Sequence, residues 1–327
     1  MAEIVTFGEA MVRLSPPQFR RLEQARSLDL QVGGAELNTA VALSRMGRST
    51  AWVSRLTDNP LGRLIANHAR EAGVDTSQIL WTREDRVGLY FLEFGAAPRA
   101  SSVLYDRKDA AIAKVAPGMV NWEKVFQNTR WFHLTGITPA LSPSAAATSL
   151  EAIRFARKAG VTTSVDLNFR VKLWSSDQAN RCMSELMAHT DYLITTEEDL
   201  ERVFSIKGKD YEEAAALTAG RFPVKAVAIT LRENPLVWRN TWSGMVWMNK
   251  QVLRTRTYEV EIVDRLGARD SFAAGFIDGM LDGDMQKALD RGVALSALKH
   301  SIPGDFAWIT RDEVDNLLQG AALRIHR

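Results

Sequence analysis

Hydrophobic positions along the chain keep two rhythms, and the two alternate. Short β-branched or aromatic runs read as strands: Ile4 to Phe7, Trp52 to Leu56, Arg130 to Leu134, Thr163 to Arg170, Tyr192 to Thr195, Ala226 to Thr230 and Tyr258 to Val263. Between most of them lie stretches with apolar residues three and four apart, which read as helices. One opens at Gly33-Gly34 and runs through Val41 and Leu43 to Met46, with Gly47 as its stop; others end near Gly73, span Ser144 to Ala159, and carry Met183, Leu186 and Met187. Later helices carry Phe272, Phe276 and Met280, then Ala294 and Leu298. The last bears Val314 and Leu317 behind a Thr310/Glu313 cap. Strand and helix in alternation predict an α/β fold, a parallel sheet covered on both faces.

Residues 88 to 107 break the rhythm. Leu89 to Phe94 and Ser102 to Arg107 are extended runs around Gly95-Ala96-Ala97-Pro98-Arg99, which predicts a small antiparallel hairpin. Period two puts Tyr105 and Arg107 on one face and Tyr90 with Leu92 on one face of the partner run. Met11 to Leu14 is a further extended segment, and residues 15 to 32 read as loop and edge strand. We expect a single domain over 1–327, with an appended lid formed by about 10–32 and 87–107.

Composition narrows the function classes. The 327 residues carry a formal net charge of +2 with no dense basic block, which argues against a nucleic-acid face or a polybasic membrane anchor. Cys182 is the single cysteine, so no intrachain disulfide forms. There is no 18-residue apolar run and no leader pattern, and a cytoplasmic protein acting on a small molecule is expected. No Gly-x-x-x-x-Gly-Lys-Ser/Thr and no early Gly-x-Gly-x-x-Gly occurs, which disfavours P-loop NTPases and nicotinamide-dependent oxidoreductases.

Candidate chemistry concentrates at the junction Val263 to Phe276. A turn at Gly267-Ala268-Arg269 leads directly into a helix, and a helix start favours an anion through its unsatisfied N–H donors and positive dipole end. Asp270 stands there as a carboxylate able to deprotonate a hydroxyl; an ordinary helix-start carboxylate explains it equally well. Gly275 and Gly279, four apart, predict close packing of this helix on a sheet. Gly33-Gly34 with Asn38 one turn on could meet a ligand, though alone they favour slightly a mere turn with Asn38 facing water. Asp166 and Asn168 share a strand face with Arg170 just beyond, at the edge where open parallel sheets bind ligands. Arg107 suits a carboxylate, but pairing with a nearby Asp is the commoner fate. His133 reads as a core histidine. Thr195 with Glu198 has capping-box spacing, and the acidic group Glu197-Glu198-Asp199 either holds magnesium through water or merely caps. Residues 231 to 235 read as a loop before a strand pair around Trp238 and Trp247.

Taken together, Gly33-Gly34 with Asn38, the Tyr105-x-Arg107 flap, Asp166-x-Asn168-x-Arg170 and the late Gly267-Ala268-x-Asp270 helix start resemble the PfkB (ribokinase-like) carbohydrate kinases over essentially the whole chain. Tyr105-Asp106-Arg107, the Asp264-to-Phe272 form of the late motif, Thr230-Leu231-Arg232-Glu233 and Lys299-to-Asp305 look most like the 2-keto-3-deoxygluconate kinases within it. The resemblance implies a three-layer α/β/α sandwich with a mostly parallel sheet and a β lid, the lid making a homodimer or higher oligomer. It implies ATP and Mg²⁺ as cofactors and phosphorylation of 2-keto-3-deoxygluconate to its 6-phospho ester. Asp270 would be the base, with Gly267 and Ala268 as the anion hole. Gly34, Asn38, Tyr90, Tyr105, Arg107 and Arg170 would hold the sugar acid, with Asp305 a further candidate. Asn168, Thr230 and Arg269 would lie along the nucleotide, and no residue is assigned as a direct metal ligand.

Two departures bear on activity. Arg269 stands where the family usually has glycine; it either contacts the phosphoryl group or blocks it and strains the turn, and the reading leans to impaired catalysis. Thr196 and Asp199 stand in for a metal-organising Asn/Glu pair. The alternatives are a kinase of a neutral sugar such as fructose or ribose, and a sugar-acid binder without turnover.

Overall fold

The computed structural model describes residues 2–236 and 238–320, without the side chains of 233–236, so the Glu233 side chain and the tail after 320 lie outside the described residues. In chain order the elements are β1 (Ile4–Phe7), β2 (Met11–Ser15), β3 (Asp29–Gly33), α1 (Ala35–Arg45), β4 (Thr50–Thr57), α2 (Pro60–Glu71), β5 (Ile79–Thr82), β6 (Gly88–Glu93) and β7 (Ser102–Asp106). Then come α3 (Trp122–Phe126), β8 (Trp131–Thr135), α4 (Pro143–Lys158), β9 (Thr162–Asp166), α5 (Ser176–Met187), β10 (Tyr192–Thr195), α6 (Glu197–Phe204) and α7 (Tyr211–Arg221). The rest is β11 (Ala226–Leu236), β12 (Arg239–Met248), β13 (Gln251–Arg254), β14 (Tyr258–Glu261), α8 (Ala268–Leu281), α9 (Met285–Lys299) and α10 (Arg311–Leu318).

The large sheet runs β13-β12-β11-β10-β9-β8-β1-β4-β5, with β14 also on β12. It is parallel from β11 to β5 and antiparallel at the β12 end. Alternate strand residues face opposite sides. Val5, Phe132, Val165, Leu193 and Val227 pack with α3 to α7, whereas Ile4, Trp131, Ile194 and Ala226 pack with α1, α8, α9 and α10. That alternation produces the expected three layers.

The small sheet has the order β3-β2-β6-β7. The expected hairpin is present as β6 and β7, but β2 joins it in parallel, so the sheet is mixed rather than antiparallel throughout. Other expectations need correction. Residues 231 to 235 continue β11 instead of forming a loop, because β12 pairs with them through Glu233. The cap of α6 is Thr196, whose hydroxyl accepts from the Asp199 N–H, one residue later than the Thr195 frame. Gly275 and Gly279 face α9, not a sheet: a Cβ at Gly275 would lie 2.5 Å from the Arg291 carbonyl oxygen, and one at Gly279 would lie 2.3 Å from Ala288 Cα.

Candidate active site

A cleft of about 400 Å³ opens between the small sheet and the carboxyl ends of the parallel strands. Its floor is the start of α8. After β14 the Asp264 carboxylate accepts from the N–H groups of Leu266 and Gly304, each at 3.0 Å, which braces the turn. Gly267 then takes φ +81° as the helix cap, a left-handed conformation that favours glycine. A Cβ there would also lie 2.0 Å from the Asp305 carbonyl oxygen. The N–H of Ala268 donates to the Arg265 carbonyl at 3.3 Å; among the described residues those of Gly267, Arg269 and Asp270 donate to no backbone carbonyl.

Asp270 is buried, and its carboxylate accepts from Asn38 Nδ2 at 2.7 Å. Burial pushes its pKa up to about 7; the Asn38 donor opposes that, the nearby Asp166 and Asp305 charges add to it, and Arg170 opposes it. Asp270 is thus a buried first-turn carboxylate tied to α1. Asn38 does not face water: it is buried on α1, its Oδ1 accepting from the Gly34 N–H at 3.2 Å.

Arg269 is not strained, because it lies within α8 and the left-handed residue is Gly267. Its guanidinium is held by two carboxylates, Nε to Asp166 Oδ2 at 2.8 Å and Nη1 to Asp199 Oδ2 at 2.7 Å, while it still lines the cleft. The expectation of Asp166 and Asn168 on one strand face also fails. β9 ends at Asp166, since Asn168 turns left-handed at φ +38°. Asn168 is buried in the cleft wall and its Oδ1 has no hydrogen-bond partner. Arg170 is exposed, bonded to the Phe169 carbonyl at 3.3 Å, and forms no ion pair among the described residues. Thr230, on β11, lines the far side.

From the small sheet, Tyr90 and Tyr105 sit in register with ring centroids 5.9 Å apart. Arg107 pairs with buried Glu9, not with an aspartate, and its guanidinium carbon lies 5.5 Å from the Tyr105 ring centroid. Burial raises the Glu9 pKa against the pull of Arg107. Asp305 is engaged by Tyr90 Oη and by Arg13, whose Nη1 lies 2.6 Å away; Arg13 Nη2 also reaches Asp264 at 2.7 Å. The cleft thus brings together all the expected residues except Ala268, which is buried behind it. Glu9, between β1 and β2, and Arg13, inside β2, were not singled out by sequence, because neither carries a local sign of its partner. His133 lies in the core as expected, at 2.8 Å from Ser164 Oγ, and burial lowers its pKa to about 3.

The pattern of the pfkB family carbohydrate kinases matches residues 1–305. The chain belongs to that family. It is 39% identical over 327 residues to a 2-dehydro-3-deoxygalactonokinase of Haloferax volcanii, covering 100% of this chain and 99% of the relative. A 2-dehydro-3-deoxygluconokinase of Bacillus subtilis is 29% identical over 320 residues, covering 97% and 95%. The crystal structure of a 2-dehydro-3-deoxygluconokinase from Thermotoga maritima superposes with a TM-score of 0.94 at 42% identity, covering 97% of this chain and 98% of that one. The fold is ribokinase-like, with a mostly parallel sheet and a small lid sheet. No helix among the described residues is long and apolar enough to cross a membrane.

Proposed function

We propose that this carbohydrate kinase phosphorylates a 2-keto-3-deoxy sugar acid with ATP, converting 2-keto-3-deoxygluconate to 2-keto-3-deoxy-6-phosphogluconate. The observation that carries the reading is the Asp270 carboxylate, buried against Asn38 at a helix start and with a pKa of about 7. A base poised near the working pH takes a proton from the sugar hydroxyl as that oxygen attacks the terminal phosphorus of ATP; the oxygen–phosphorus bond forms, the bond to the leaving diphosphate breaks, and ADP departs. The N–H groups of Gly267 and the first turn of α8 steady the charge on the transferred group.

The sugar side is the lid side, with Gly34, Asn38 and Tyr105. The substrate carboxylate meets Arg170, which has no carboxylate partner among the described residues, with Arg107 secondary because Glu9 already holds it. Asp305 and Tyr90 support the site from behind, through Arg13. Thr230 and Asn168 line the nucleotide side. Arg269 acts there by neutralising Asp166 and Asp199. Among the described residues no three or more His, Cys, Asp or Glu side chains gather to cage a metal. Magnesium would come with the nucleotide and neutralise its phosphates, and the partnerless Asn168 Oδ1 is the side chain that would meet its water. Exposed Leu30 and Leu104 on the small sheet support packing of a second copy there, which light scattering tests through the solution mass.

The deciding assay is ADP release with MgATP and 2-keto-3-deoxygluconate, its C4 epimer, fructose and ribose. Turnover on the acids and a loss of at least ~100-fold in Asp270→Ala are expected. Turnover on fructose or ribose alone refutes the acid substrate, and sugar-acid binding without turnover refutes the kinase.

A further inference from the structure

Glu36 does not line the cleft, yet three of the cleft's walls meet on it. It is fully buried in the first turn of α1, between Gly34 and Asn38, which do line the cleft. Its Oε1 accepts three hydrogen bonds from the end of β8: from the Thr135 N–H at 3.1 Å, the Thr135 hydroxyl at 2.8 Å and the Thr138 hydroxyl at 2.8 Å. The Thr135 hydroxyl in turn accepts from the N–H of Ile137, another residue of the cleft wall, at 3.2 Å. The third wall is the end of β1. A Cβ on Gly8 would collide with Cδ and Oε2 of Glu36 and lie 2.7 Å from Thr138 Oγ1. Gly8 is itself pinned: its N–H donates to the Val53 carbonyl at 3.1 Å, and its carbonyl accepts from Trp52 Nε1 at 3.1 Å and Ser54 Oγ at 2.7 Å. The next residue, Glu9, lines the cleft and pairs with Arg107. Glu36 forms no ion pair among the described residues, its Oε2 has no hydrogen-bond partner, and burial lifts its pKa to about 7 against the pull of its donors. Burying a carboxyl without a counter-charge costs stability, so packing alone does not account for this one.

We propose that Glu36 is a positioning residue for the sugar end of the cleft, its carboxyl fixing the start of α1, the Ile137 turn and the Gly8–Glu9 corner in one frame. The inference rests on the kinase reading and names what sets its sugar site. The three walls carry Gly34, Asn38 and, through Glu9, Arg107, all on the lid side; Thr230 and the rest of the nucleotide side have no contact with this frame. A sugar held by several such groups at once loses binding when the walls drift apart by a fraction of an ångström. Glu36 acts as an acceptor and not as a charge, since no cation faces it.

KM for 2-keto-3-deoxygluconate and for ATP, with calorimetric binding of the sugar acid to the whole chain, tests it. Glu36→Ala is expected to raise KM and Kd for the sugar acid about tenfold while KM for ATP holds within about twofold. Glu36→Gln keeps an acceptor oxygen for the three donors and should recover most of that loss. Gly8→Ala reaches the carboxyl from the other side; it should raise the same KM in the wild-type background and add little in Glu36→Ala, where the space is vacant. Thr138→Val removes one donor without opening a cavity and should raise the sugar KM about threefold, so the role is tested even if Glu36→Ala does not fold. Equal rises in both KM values, or variants that lose stability in denaturant with the sugar KM and Kd unchanged, overturn the positioning role while leaving the kinase reading intact. A wild-type protein that binds no sugar acid overturns the proposed substrate and the positioning role with it.

Discussion

Replacing Asn38 by alanine should move the pH at which the enzyme switches on, and the size of the move follows from one hydrogen bond. Asn38 Nδ2 donates to the Asp270 carboxylate at 2.7 Å where both groups are buried. That donor favours the ionised form, so its loss raises a pKa that already stands at about 7. A hydrogen bond to a charged group is worth about 1.5–3 kcal/mol, and about 1.4 kcal/mol corresponds to one pH unit. The shift is therefore about one to two units. As Asp270 must be ionised to accept a proton, kcat/KM rises with pH and levels off above the pKa of the free enzyme. The wild-type profile should bend near 7 and that of Asn38→Ala near about 8 to 9. Any weakening of sugar binding by removal of the Asn38 amide lowers the plateau without moving the bend. A bend that stays in place or moves towards acid refutes Asn38 as the group that holds Asp270 ionised.

Three further outcomes follow from the same geometry. Because the native pKa of Asp270 lies above its unfolded value, its stability contribution is full below about pH 4 and falls as pH rises through about 7; Asp270→Asn should therefore gain up to roughly 4 kcal/mol over wild type across that window and stay level above it, read by denaturant titration. Arg107→Leu strands buried Glu9 and should cost about 3 kcal/mol, with Glu9→Gln in the same chain restoring part; no recovery means the pair is not coupled. Arg269→Gly leaves Asp166 and Asp199 facing each other and should cost about 2 to 4 kcal/mol without raising kcat; a large gain in turnover would mean that Arg269 restrains catalysis.

What the sequence carried was local. The turn before α8 and the Thr310/Glu313 cap were legible because their spacings fall within a few residues. The pairing of Asn38 with Asp270 spans 232 residues, and that of Arg13 with Asp305 spans 292; no local pattern reports either. The partners of Arg269 were hidden for the same reason: its acids lie on β9 and α6, whereas the sequence displayed only a long cation beside a turn. The α6 cap was misread by one residue because Thr195 and Thr196 adjoin and only the backbone decides between them. Strand β11 outran its apolar run because pairing with β12, not composition, extends it.

Arg13 also bears on how the lid could move. The small sheet is built from two separate excursions of the chain, and Arg13 on one meets Tyr90 on the other at the same carboxylate, Asp305. Arg13 further holds Asp264, the brace of the Gly267 turn, with every side chain of the cluster shut off from solvent. Lifting the strands from the body means drawing one guanidinium away from two carboxylates in a dry interior. The two excursions are thus tied to each other and, through Arg13 and Asp264, to the turn that carries Asp270, so a substitution that loosens the lid strands also loosens that turn.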